Sequence, residues 1–244
     1  AAMKIFVSGD AAAVSVGADQ TAQAITEQAH ALGLERVVVR TGTRGMLWLE
    51  PLVEVETPLG RVAYGPVSAA DVPALFAAGF LDGASHPLCH GSTEQMPWMV
   101  RQQRLSFARV GLIDPLSLDD YLAHGGLAGF TRARTLSSAA LLQEVLDSGL
   151  RGRGGAGFPT GIKWRTVAQA AGPRKYIVCN ADEGDSGTFA DRMLIEGDPF
   201  ALLEGMLIAG LAVGASRGVV YLRAEYPHAI KTLTSAIANA RKAG

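Results

Sequence analysis

Two short stretches of this chain combine side chains with a capacity for chemistry. The first is Arg151-Gly152-Arg153-Gly154-Gly155-Ala156-Gly157-Phe158-Pro159-Thr160-Gly161. Glycines at this density let the backbone approach a planar or anionic ligand and turn several N–H groups toward it. Arg151 and Arg153, with Lys163 just beyond, add positive potential, and Phe158 offers a stacking face. Gly152, Gly154 and Gly157 satisfy G-x-G-x-x-G, but the motif follows a predicted helix, whereas the dinucleotide fingerprint follows a strand. Pro173 and Arg174 stand where that fingerprint needs a ribose-binding acid. The loop is therefore a ligand cradle of another kind, or a solvated surface loop.

The second stretch is Asn180-Ala181-Asp182-Glu183-Gly184-Asp185-Ser186-Gly187, directly after the strand candidate Tyr176–Cys179. Ligands of open α/β sheets sit at the carboxyl ends of strands. Three carboxylates in four residues repel one another unless they face water, a metal or hydroxyls. Three readings stay open. Asn180 and one carboxylate hold the polar edge of a flavin while another carboxylate meets a nicotinamide ribose; or Asp182, Glu183 and Asp185 ligate Mg2+ or Ca2+; or the turn is merely solvated. Cys179 ends an apolar strand and reads as an inert thiol. Cys89 lies between His86 and His90, where a loop contact is the simpler reading than a Cys-His site. His30, His124 and His228 have no ligand spacing.

The elements that must position these stretches are legible in outline. Residues 1–80 form one unit. Lys4–Ser8 and Arg36–Arg40 are strands, and a helix over Gln20–Leu32 ends at Gly33. Leu52–Glu56 and Gly60–Tyr64 flank a turn, and Ser68 caps a last helix, Asp71–Ala78. This β-α-β-β-β-α order predicts a thioredoxin-like fold. Residues 81–116 read as a linker, with a brief helical candidate at Trp98–Ala108. Residues 117–244 alternate helices and strands, which implies a partly parallel sheet. Ser117 with Asp120 resembles a capping box, and Ser137 caps a helix over Ala139–Leu146. Tyr176–Cys179 and Val219–Leu222 read as buried strands. Asp198-Pro199 starts a helix with Leu202, Met206, Ala209 and Val213 on one face. The fold class is thus α/β.

Composition narrows the function. Among 244 residues, 22 Lys and Arg against 23 Asp and Glu give a formal charge of -1, without the basic excess of a nucleic-acid binder. With 48% apolar and 18% charged residues the chain has ample core material. Two cysteines cannot supply a four-thiolate zinc site or iron–sulfur cluster, nor a disulfide framework. A reduced, cytoplasmic setting is expected. The run after Lys4 breaks at Ser8-Gly9-Asp10, so no signal peptide is expected. Gly205–Ser216 is shorter than the ~18 residues of a spanning helix and is expected to be a buried helix rather than a membrane contact.

The segments Ser148–Trp164 (SGLRGRGGAGFPTGIKW), Asn180–Arg192 (NADEGDSGTFADR) and Asp198–Gly205 (DPFALLEG) closely resemble the NADH-binding flavoprotein subunit of respiratory complex I and its soluble relatives. The resemblance runs from about Gly111 to Gly244. It implies hydride transfer between NAD(H) and FMN. Gly152, Arg153, Gly154 and Gly155 would line the FMN, with Lys163 on its phosphate or ribityl side. Asn180, Asp182 and Glu183 would complete the flavin and nicotinamide pocket, Glu183 in the catalytic position. Phe158 would stack on adenine, and Asp185 would contact the dinucleotide. No metal ligand is implied in these residues. Two positions depart from the family: Thr166 stands where relatives often have an aromatic, and Asp185 where they often have Glu.

Residues 3–80 are similar to the thioredoxin-like 2Fe-2S domain of the partner subunit, without its cysteines; Asp10 or Ala11, Thr43 and Leu47 occupy the ligand region. That front, with Pro97-Trp98, Arg101–Arg104 and Asp114–Tyr121, looks most like the β subunit of soluble, molybdenum-dependent NAD+ formate dehydrogenase. The diaphorase subunit of an NAD-reducing hydrogenase or of a complex I-type dehydrogenase is the alternative. The partners implied are a thioredoxin-like 2Fe-2S subunit and a molybdenum- and iron–sulfur-containing catalytic subunit. In this family the chain continues with a segment closing the FMN site, a ubiquitin-like domain and a 4Fe-4S domain, so these residues are expected to be incomplete at their C-terminal end. A non-catalytic docking module is the reading from another class.

Overall fold

The structure, a computed structural model, describes residues 3–244. The front unit is built from β1 (Met3–Ser8), α1 (Ala11–Ser15), α2 (Ala18–Ala31), β2 (Arg36–Thr41), β3 (Val53–Thr57), β4 (Gly60–Tyr64), α3 (Val72–Ala77) and β5 (Cys89–Ser92). The sheet order is β2-β1-β3-β4-β5, with β1 and β2 parallel and the rest antiparallel. This is the expected thioredoxin-like order with one strand added. Ile5 and Val7 point into one apolar core with Ile25, Val53, Val55, Tyr64 and Phe80. Phe6 and Glu54 face the other side, and both are buried there too, because residues beyond Val100 fold back over it. Arg61 bridges this layer: its guanidinium covers the Phe6 ring and donates to the carbonyls of Gly111 and Leu112 at 2.9 and 2.6 Å. Arg44 is buried against Glu54, at 2.8 and 3.1 Å.

Local signals account for most ends. Asp10 accepts from the N–H groups of Ala12 and Ala13 and caps α1. Ser68 and Asp71 form a complete capping box. Gly33, at φ 66°, follows the end of α2. The stretch read as a linker differs from expectation in two ways. Cys89–Ser92 pairs with β4, a backbone interaction that leaves no side-chain period to read. The helical candidate shrinks to α4 (Pro97–Val100), and turns follow it through Leu116.

The second unit comprises α5 (Leu118–Ala123), α6 (Ala128–Ala133), α7 (Ser138–Asp147), α8 (Thr160–Gln169), β6 (Tyr176–Ala181), α9 (Ala190–Gly197), α10 (Pro199–Val213), β7 (Arg217–Leu222) and α11 (Pro227–Ala243). β6 and β7 are parallel, in the register Ile177–Gly218 and Cys179–Val220. Ser137 caps α7 and Asp198 caps α10, as expected. At α5 only half of the expected box forms. Ser117 accepts from Asp120 N–H, while the Asp120 carboxylate turns away to the N–H of Asp114.

Two burial expectations are corrected. The sequence predicts β6 and β7 as buried strands, yet only Ile177, Cys179, Ala181, Val220 and Leu222 face the helices. Val178, Val219 and Tyr221 are 64%, 49% and 64% exposed on the opposite face, because the helices of residues 3–244 cover one side of this sheet. The helix expected to be wholly buried, now α10, buries Ala209, Ala212 and Val213 but leaves Leu207 and Leu211 exposed along an open cavity between α10, α11 and β7.

Candidate functional site

The glycine loop is a closed excursion between α7 and α8. Arg151 and Pro159 form its neck, where Gly152 N–H donates to Phe158 O and Thr160 N–H to Leu150 O, each at 2.9 Å. The Arg151 guanidinium reaches the Gly157 carbonyl at 2.8 Å, so this arginine holds the loop together. Among the described residues, the N–H groups from Arg153 to Phe158 make no hydrogen bond within the chain. Gly155 and Gly157 have φ of 105° and 61°, and a Cβ on Gly154, Gly155 or Gly157 would meet nothing. The loop therefore offers a row of free donors on a backbone that carries no side chain at Gly154, Gly155 and Gly157. Arg153, Phe158 and Lys163 are exposed around it. Gly161 plays a different part: a Cβ there would stand 2.8 Å from the Leu146 backbone, so it is needed for α8 to pack on α7.

The loop and the acidic turn come to the same end of the sheet. Lys175 at the start of β6 bonds Ala168 near the end of α8, while Trp164, one turn earlier, shares a cavity of about 470 Å3 with Cys179. α8 therefore runs back along β6, and its N-terminus, with the loop, lies toward the carboxyl end of β6. Asn180 projects there on the bare face of the sheet, beside Val178 and Tyr221 in register. Its Oδ1 accepts from Asp182 N–H at 3.2 Å.

The Glu183 carboxylate is engaged. Its two oxygens accept from Asp191 N–H at 2.7 Å and Arg192 N–H at 3.1 Å, which satisfies orphan donors in the first turn of α9. Its backbone is left-handed, φ 44°. Its carbonyl accepts from the Arg223 guanidinium at 2.8 Å, and Tyr226 closes the far side of the turn by donating to Thr188 O at 3.2 Å. Asp182 is half-buried and Asp185 exposed. Burial, then the Glu183 charge, raises the pKa of Asp191; burial, then the Asp191 charge, raises that of Cys179. Cys179 is thus held as a thiol. Among the described residues no group of three or more His, Cys, Asp or Glu side chains is arranged to hold a metal ion.

Arg223, Tyr226, Asp191 and Arg192 belong to this site and escaped the sequence reading. Arg223 follows β7 at its carboxyl end, so the rule that singled out Asn180 would have found it. Asp191 and Arg192 act through their backbones and leave no residue-type signal. A cavity of about 750 Å3 between α10, α11 and β7 is lined by none of the loop or turn residues.

The donors present suit a flavin mononucleotide. Free N–H groups on a backbone bare of side chains at Gly154, Gly155 and Gly157 admit a planar ring or phosphate, Arg153 and Lys163 supply cations, and Asn180 an amide edge. Residues 145–244 match the family model of the Nuo51 FMN-binding domain. The chain is 52% identical over 144 residues to the HndC subunit of the NADP-reducing hydrogenase of Solidesulfovibrio fructosivorans, covering 59% of this chain and 29% of that protein. It is 48% identical over 128 residues to a subunit of the NADH-quinone oxidoreductase of Aquifex aeolicus strain VF5, covering 52% and 30%. It therefore spans about a third of the length of these relatives. An NAD+-reducing nickel–iron hydrogenase in the air-oxidized state aligns over 99% of this chain and 41% of its own at 28% identity, with a TM-score of 0.45. Residues 145–244 are thus similar to the Nuo51 FMN-binding domain, and the chain is similar to the flavoprotein-type subunits of these hydrogenases and NADH dehydrogenases.

Proposed function

We propose that this chain supplies the flavin and nicotinamide site of a diaphorase subunit, in which a hydride passes between a nicotinamide dinucleotide and FMN. The observation that carries this reading is the row of unpaired N–H groups from Arg153 to Phe158 on a loop inside the matched domain. FMN, when bound, accepts a hydride and releases electrons singly to iron–sulfur centres. The chain's residues bind and orient. Gly152, Gly154 and Gly155 hold the flavin through the backbone, with Arg153 and Lys163 on its anionic side. Asn180 and Asp182 meet its polar edge. Glu183 and Asp185 face the dinucleotide, and Phe158 stacks on its adenine. No side chain serves as an obligatory acid or base; the contribution is alignment of the two rings within van der Waals reach.

We further propose that the holoenzyme is a cytoplasmic NAD+-dependent formate dehydrogenase with a molybdenum- and iron–sulfur-containing catalytic subunit and a thioredoxin-like 2Fe-2S subunit. The resemblance of residues 3–80, which contain no cysteine, supports this. A second reading, the diaphorase subunit of a hydrogenase, is favoured by the similarity to the hydrogenase subunit of S. fructosivorans. No helix among the described residues is long and apolar enough to cross a membrane.

The test is the visible spectrum of the purified protein after incubation with FMN and gel filtration, followed by anaerobic NADH. Retained flavin absorbance that bleaches is expected. A colourless protein, inert to NADH, would instead support a docking module. In the holoenzyme, NAD+ reduction driven by formate supports the formate dehydrogenase, and reduction driven by H2 supports the hydrogenase.

A further inference from the structure

Helix α9 touches the acidic turn at one end and the thioredoxin-like unit at the other. At its start, the N–H groups of Asp191 and Arg192 grip the Glu183 carboxylate. At its end, Glu196 is buried and accepts from the N–H of Ala11 at 2.8 Å. The Arg192 side chain bonds Glu196 at 3.1 Å and faces buried Asp10 at 3.9 Å. Gly197 lies flush against Gly42: a Cβ on Gly42 would come within 2.7 Å of Gly197 Cα and 2.8 Å of Val110, and one on Gly197 within 2.5 Å of Val110. Asp10, Ala11 and Gly42 follow β1 and β2 at their carboxyl ends. Here that end is a seat for α9.

The seat matters because Glu183 is strained. A non-glycine residue in the left-handed region is disfavoured by its Cβ and persists only where its surroundings over-determine it. Three contacts do so, two from α9 and one from Arg223. Where α9 sits therefore decides where Glu183 sits.

We propose that the thioredoxin-like unit is a positioning element for the nicotinamide site: it fixes α9 through the Asp10–Arg192–Glu196 group and the Gly42–Gly197 contact, and α9 fixes Glu183. Arg192 is then a positioning residue. Its bond to Glu183 is made by the backbone, which no side-chain substitution removes, so any effect of its guanidinium on the turn passes through the placement of the helix. The inference rests on the role given to Glu183 above.

The experiment uses the full protein and four variants: Arg192→Met, Arg192→Lys, Asp10→Asn and Glu183→Gln. Asparagine remains a good helix cap, so Asp10→Asn keeps the stronger bond to Ala13 N–H at the start of α1 while it removes the charge facing Arg192. Amide hydrogen exchange is followed over residues 182–193, together with KM and kcat for NADH with ferricyanide as acceptor. Arg192→Met and Asp10→Asn are expected to speed exchange in that segment. Arg192→Met is expected to raise KM by roughly 2- to 30-fold with flavin content unchanged, and Arg192→Lys to restore much of it. In a Glu183→Gln background, Arg192→Met is expected to add nothing further to KM. Unchanged exchange over 182–193 in both Arg192→Met and Asp10→Asn, or additive effects on KM in the double variant, overturns the proposal. Exchange needs no nucleotide, so it decides the strut separately from the functional reading. That reading alone fails if wild-type flavin is not reduced by NADH.

Discussion

In the proposed site, Glu183 would carry two duties that compete. As a cap it spends both oxygens on α9; as a nucleotide ligand it must also face a ribose or nicotinamide. A carboxylate has about four acceptor sites, so both are possible at once only while the helix start and ligand lie on different lone pairs. Glu183→Gln keeps an acceptor for one N–H and loses the charge. Its KM for NADH is expected to rise roughly 10-fold with FMN retained, and unchanged steady-state affinity for NADH would remove the role assigned to it. A second residue-scale effect lies in the front unit. Burial pushes the Glu50 carboxyl up to about 7, aided by the Asp10 charge and opposed by bonds from Leu52 N–H and the Thr43 hydroxyl. The folded state thus binds this proton more tightly than the unfolded chain. The contribution is fully present below about 4.5 and is lost as pH rises through about 7. Denaturant melts of wild type and Glu50→Gln across that window are expected to diverge by an amount of the order of 3 kcal/mol in favour of Gln at the alkaline end. Parallel curves would show that Glu50 is not the group responsible.

Among the elements, α8 is the one whose placement the glycine loop depends on. Its second residue is Gly161, closed against the backbone of Leu146 in α7. Alanine in a helix is worth up to ~1 kcal/mol over glycine, so propensity alone predicts that Gly161→Ala stabilises. The contact predicts the reverse, a loss of about 1–3 kcal/mol as α8 is pushed off α7, with weaker flavin retention because the loop enters that helix. The denaturation midpoint decides between the two. The sequence marked Gly161 as part of a ligand cradle. It belongs to helix packing, and nothing in residue type separates a glycine that admits a ligand from one that admits a neighbouring helix.

At the scale of the molecule, two units are joined by buried polar contacts and by glycine against glycine. Arg109 donates to Asp198 at 2.8 Å, Asp198 being both fully buried and the cap of α10. Arg61 ties β4 to Gly111 and Leu112. Gly42→Ala inserts a methyl group where Gly197 and Val110 leave no room. Its expected cost is about 1–3 kcal/mol, seen as a lower melting temperature and faster proteolysis between residues 101 and 116. Melting and cleavage unchanged from wild type would mean that the units can separate at Gly42 without cost.

The strands β1 to β4, β6 and β7, the helices α2, α3, α7 and α10, the caps Ser68, Ser137 and Asp198, the inventory of two cysteines, and the two glycine-rich and acidic stretches were legible in the sequence alone. These properties are local: propensity, periodicity and composition act over a few residues, and glycine density or carboxylate spacing is visible without coordinates. The tertiary structure alone decided the rest. It made Cys89–Ser92 a strand, left one face of β6 and β7 bare, turned Gly161 to packing, and joined Glu183 to α9 and α9 to Asp10. Each depends on backbone groups or on residues up to 185 positions apart, as Ala11 and Glu196 are. Backbone donors carry no residue identity, and separation along the chain says nothing of separation in space, so only the folded arrangement could select those pairings.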